Sequence, residues 1–130
     1  MSQENGVIIP KIATLDGFTE AVEKNDGLYV SSLPASITLL IETQNSHYQL
    51  VILDPIRMSV RVSSYDSKVV REPFNGIING STFGGSMIKL GWIGVGMCLE
   101  IHMANGRTLT TSPTKKISLV SFTQSSNTVN

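Results

Sequence analysis

Arg57 and Arg61 stand four residues apart, and each carries a planar guanidinium that can hold a phosphate through two parallel hydrogen bonds. With Lys68 and the rings of Tyr48, Tyr65 and Trp92 they form a set that could neutralise phosphates and stack bases. Between Asn79 and Gly96, six of the chain's eleven glycines fall within the eighteen residues NGSTFGGSMIKLGWIGVG. The glycines between Gly80 and Gly96 could let backbone N–H groups make a nest for an anion, with Lys89 adding charge. Familiar phosphate loops, however, run from strand into helix and carry a Gly-Lys-Ser/Thr signature that this stretch lacks. Turns and bulges of a sheet are the reading its glycines favour.

Cys98, Glu100 and His102 follow one another at period two, which puts a thiol, a carboxylate and an imidazole on one face of one strand. Zinc could use such ligands if a neighbouring strand brought His47 alongside, although no paired His or Cys spacing supports a metal. Ser86 and Lys89 spell SxxK, a nucleophile and base only when a helical turn brings them together; on a strand they face opposite ways. The acids are scattered, and no Ser/His/Asp spacing singles out a catalytic set, so the chain is expected not to be an enzyme and to need no cofactor.

These residues need strands to position them, and the chain supplies strands. Ser36–Thr43 and His47–Leu53 read as a hairpin linked at Gln44–Ser46. Asp54-Pro55 turns the chain into a strand over Arg57–Ser63, with Met58, Val60 and Val62 on one face and both arginines on the other. Lys68–Arg71 and Phe74–Ile78 read as short strands parted at Glu72-Pro73, and Ser86–Leu90 as another. Gly91–Gly94 reads as the link into Val95–Met103, the clearest alternation in the chain. Asn105-Gly106 is a hairpin turn leading to Arg107–Ser112 before Pro113.

Near the N-terminus the pattern changes to a short helix over Asp16–Lys24, capped by Asp16 and presenting Phe18, Ala21 and Val22 on one face. The expected architecture is therefore mainly β: a small antiparallel β barrel or sandwich with one short N-terminal helix. Residues 1–130 form a single domain, with an ordered core over about 7–120 and polar tails at both ends.

Ten basic side chains balance ten acidic ones, which removes the electrostatic footprint of a general nucleic-acid or anionic-membrane binder. No apolar run approaches the ~20 residues that span a bilayer. The first residues lack a basic region followed by an apolar stretch, and the lone Cys98 leaves no internal disulfide. A cytoplasmic location is the expectation.

Two resemblances add to this. NSHYQLVILDP, then GSTFGGSMIKLGWIGVGMCLEI, then NGR and TSP, covering about Asn45 to Pro113, resemble a group of small uncharacterised bacterial β proteins; that likeness implies a single bacterial β domain and no chemistry. By motif alone the chain is also similar to the cyclic-di-GMP-binding PilZ barrel. Arg57-Met58-Ser59-Val60-Arg61 fits RxxxR, and Asn79-Gly80-Ser81-Thr82-Phe83-Gly84 fits [DN]xSxxG. That likeness implies that Arg57 and Arg61 hold phosphate and guanine while Asn79 and Ser81 contact the ligand, although in PilZ domains the arginines precede the first strand. The expectation is a non-catalytic binding or assembly module whose partner is a protein, with a second copy of the chain allowed. Its alternatives are a cyclic dinucleotide held by Arg57, Arg61, Asn79, Ser81, Gly84, Gly85 and Lys89, and, further off, a metal-dependent enzyme.

Overall fold

The computed structural model describes residues 26–120. The helix expected over Asp16–Lys24, the beginning of the expected core and the polar end Thr123–Asn130 lie outside the described residues. Within them nine strands follow in order: β1 Gly27–Tyr29, β2 Thr38–Thr43, β3 His47–Asp54, β4 Ser59–Ser63, β5 Phe74–Thr82, β6 Lys89–Leu90, β7 Trp92–Gly94, β8 Cys98–Met103 and β9 Thr108–Val120. A single 3-10 turn, Val30–Ser32, is the only helical piece among the described residues. The mainly β, antiparallel expectation holds.

The larger sheet runs β4-β3-β2-β9-β8-β5-β6, and a further antiparallel pairing of β4 with β5 bonds it into a ring. Ring closure leaves the strands it joins without a free edge, the feature that otherwise invites unwanted pairing. β1 and β7 make a separate two-stranded ribbon, with Leu28 opposite Ile93 and Tyr29 opposite Trp92. That ribbon is fastened to the ring by Val30 N–H donating to the Gly91 carbonyl and Gly91 N–H donating to the Asn79 carbonyl.

Alternation decides which side of each strand faces in. Leu39 and Ile41 of β2, Leu50 and Ile52 of β3, Val60 and Val62 of β4, Ile78 of β5 and Leu99 and Ile101 of β8 are almost wholly buried. They pack into one apolar core with Val30, Ile37 and Ile93. Burying each such side chain is worth about 1.5–3 kcal/mol, so this interior is the main source of stability.

Several boundaries differ from the sequence reading, each for a local reason. Arg57 lies in a turn and not in a strand. The Asp54 carboxylate accepts from the N–H groups of Ile56 (3.1 Å) and Arg57 (3.3 Å), and Met58 takes φ +59° before β4 begins at Ser59. Lys68–Arg71 is not a strand, because the Ser67 hydroxyl accepts from the N–H groups of Val69 and Val70, both at 3.1 Å, and curls the segment. β5 continues past Ile78 through Asn79, Gly80 and Ser81 to Thr82, with a bulge between Ile78 and Gly80.

Of Ser86–Leu90 only Lys89 and Leu90 pair, whereas Trp92–Gly94, expected as a link, is a strand. β8 begins at Cys98, later than expected. β9 runs straight through Pro113, which sits at the register shift where it meets Cys98 and offers its carbonyl to Gln44 N–H. A proline is tolerated there because its missing N–H falls at an irregularity in the ladder.

Candidate functional site

The residues singled out for phosphate do not share one site. Arg61 is directly opposite Asn75 on β5, and its guanidinium donates to the Asn75 side-chain oxygen at 3.0 Å. Six positions separate Asn75 from Ser81, roughly 20 Å along a strand, beyond an arginine's reach. Ser81 itself is buried and committed: its hydroxyl donates to the Trp92 carbonyl at 2.6 Å and accepts from Gly94 N–H at 3.3 Å. Arg57 comes closer, because its neighbour Met58 accepts from Ile78 N–H and so lies one step from Asn79. Its guanidinium, though, turns to Asp54 at 3.4 Å and is otherwise open to water.

Lys89 is engaged elsewhere. Its ammonium lies 3.8 Å from the ring centroid of Trp92 and 5.5 Å from that of Tyr29, while those two rings meet edge to face at 4.8 Å. The cation is thereby held over an aromatic pair on the β1–β7 ribbon, an attraction of about 0.5–1 kcal/mol at an exposed position. Trp92, expected within the Gly91–Gly94 link, is half-buried within β7 and forms the floor of this stack.

What the glycine-rich block builds instead is a projecting loop from Phe83 to Ile88. A side chain added at Gly84 or Gly85 would meet nothing within 4 Å, so the loop stands clear of the fold. It is tied at its root by Thr82, whose hydroxyl accepts from Gly84 N–H at 3.1 Å. Phe83, Met87 and Leu90 are 80%, 83% and 70% exposed, an unusual concentration of large apolar side chains in eight residues of a well-packed protein. Tyr29, under Lys89, is also 46% exposed.

Cys98, Glu100 and His102 do lie on the outward face of β8, as their alternation with buried Leu99 and Ile101 requires. Among the described residues, no three His, Cys, Asp or Glu side chains come close enough to hold a metal ion. His47 is occupied far along the ring, where its ring Nδ1 bonds Asp66 at 2.7 Å and its ring stacks on Tyr65 at 5.4 Å. The Asp66 carboxylate also accepts from His47 backbone N–H at 2.8 Å, with the Ser64 oxygen 3.2 Å away. The backbone donor of His47, then its ring, hold this carboxyl below its ordinary value. Ser64 donates its proton to the His47 carbonyl at 2.6 Å, not to the imidazole, so it is not activated as a nucleophile. Ser86, in the exposed loop, has no helical turn to share with Lys89.

Beside this network a cleft of about 430 Å³ opens between the β2–β3 link, the Ser64–Val70 segment and the start of β9. The sequence reading passed over this place. Its one available signal was the run Ser63-Ser64-Tyr65-Asp66-Ser67, whose hydroxyls and carboxylate take up backbone N–H groups and keep the segment from pairing. No helix among the described residues is long and apolar enough to cross a membrane. No family model matches the chain, and searches of curated proteins and of solved structures find no similar one.

Proposed function

We propose that the protein is a non-catalytic assembly module of the cytoplasm that docks protein through its glycine-rich face, the partner being a second copy of the chain. The observation that carries this reading is the exposure of Phe83, Met87 and Leu90 together on and beside a loop whose Gly84 and Gly85 have open space around them among the described residues. Such exposure costs solubility unless another surface covers it. Zero net charge removes the long-range repulsion that would keep two copies apart. The adjoining strand β1 pairs only with β7 among the described residues, so its other edge could align with its twin about a twofold axis, extending the ribbon. Ser64 and His47 lack the geometry of a nucleophile and its base, which supports a module without catalysis.

Light scattering on the purified chain tests it. The expected mass is a multiple of 14.1 kDa that falls to the single-chain value in Phe83→Ser/Met87→Ser, with the circular dichroism spectrum unchanged. A wild-type chain that stays at 14.1 kDa at high protein concentration would overturn self-association. The cyclic-dinucleotide alternative predicts heat on titrating cyclic-di-GMP that is lost in Arg57→Ala and Arg61→Ala. The separate commitments of Arg61 and Ser81 favour the assembly reading over it.

A further inference from the structure

From the donors that line the cleft beside the Ser64–Val70 segment, we infer that this protein binds a small organic anion there. The Ser67 hydroxyl oxygen accepts from the N–H groups of Val69 and Val70, both at 3.1 Å, and the Tyr48 hydroxyl oxygen lies 3.5 Å from it. Those two N–H groups fill the two lone pairs of Ser67, so the Ser67 and Tyr48 hydroxyls can use only one of their two protons between them, and the other has no acceptor among the described residues. On β9 the Ser112 oxygen accepts one bond, from Asn45 N–H at 3.0 Å, and its proton has no acceptor among the described residues. Lys68, which also lines the cleft, has no carboxylate within ion-pair distance among the described residues.

Three donors, one of them cationic, favour a ligand rich in acceptors. A carboxylate or a phosphate monoester is such a ligand, and bonds to a charged donor are about twice as strong as neutral ones. Asp66 also lines the cleft, but its two oxygens accept from the His47 backbone N–H and bond the His47 ring, which draws its charge towards His47. Tyr48, Val69 and Leu109 add apolar surface to the lining. The volume of about 430 Å³ is at the small end of ligand sites, sized for one ring or a short chain bearing one acidic group.

Amide chemical-shift titrations of the full chain with benzoate, phenyl phosphate and the neutral benzamide test the inference. Saturable shifts at Ser67, Lys68, Val69 and Ser112 are expected with the anions, at least about tenfold tighter than with benzamide. The tighter of the two anions identifies the head group. Lys68→Gln, an exposed substitution that leaves the fold intact, is expected to weaken binding about tenfold, and Lys68→Arg to restore most of it. Equal responses to benzoate and benzamide, shifts that never saturate, or a Lys68→Gln protein that binds as well as wild type would each overturn the assignment.

Discussion

The Ser81 hydroxyl bridges two strands by donating to the Trp92 carbonyl at 2.6 Å while accepting from Gly94 N–H at 3.3 Å. A serine that the sequence offers as a ligand contact is thus a structural cross-link between β5 and the β1–β7 ribbon. Ser81→Ala removes the bridge and leaves a buried carbonyl and N–H without it. Two groups at about 1–3 kcal/mol each set the scale, reduced by whatever water reaches them. A loss of at least about 1 kcal/mol in urea unfolding is expected. A change within experimental scatter would mean that the ribbon is held without Ser81.

Gly80 and Gly85 are a matched pair of tests within the same block. Gly80 has φ +152°, and a Cβ there would collide with the backbone of Lys89, so Gly80→Ala should part β5 from β6. An open neighbourhood surrounds Gly85, where alanine is expected to be neutral or to stabilise slightly by about 0.4–1 kcal/mol through the unfolded chain. Thermal unfolding of the two variants should separate them clearly. Equal melting temperatures would contradict the close approach at Gly80.

Asp66 sets an acid limit. Its folded value lies below the ordinary 3.8, chiefly through the His47 backbone N–H and then the His47 ring. A carboxyl lowered in the fold contributes stability that is complete above its unfolded value and is lost as pH falls through the folded one. The difference in urea midpoint between wild type and Asp66→Asn should therefore be fully present near neutral pH and shrink below about pH 4. A difference that stays constant across that range would assign the effect to packing alone.

The strands that carry most of the core are legible before any coordinates, because their alternation is enforced by burial. Leu99 and Ile101 point inward and Glu100 and His102 outward, as the period of two demands, and the Asn105-Gly106 turn leads into β9 as written. What was not legible depends on partners distant in sequence. Asn79–Thr82 looks like loop because glycine and serine are poor strand formers. It becomes strand because Gly80 allows the Lys89 backbone to approach and β8 pairs on the other side. Lys68–Arg71 looks like strand, yet the local hydroxyl of Ser67 wins its N–H groups.

The candidate site was harder still. Spacing placed Arg57 and Arg61 on one strand, but an Asx-type turn at Asp54 removed the first of them from it, and a motif carries no record of strand register. The Ser64–Val70 cleft left almost no trace, since its walls come from three segments spread over some seventy positions.

Joining β4 to β5 has one last effect on where this molecule can change. Among the described residues, isoleucine, leucine and valine from facing strands pack together inside the ring and fill it. Whatever the protein recognises must be met on its outer skin or at its loops, where new side chains can be tried without disturbing the plug. Lineages carrying this scaffold should accordingly drift in what they grip while keeping the same solid interior.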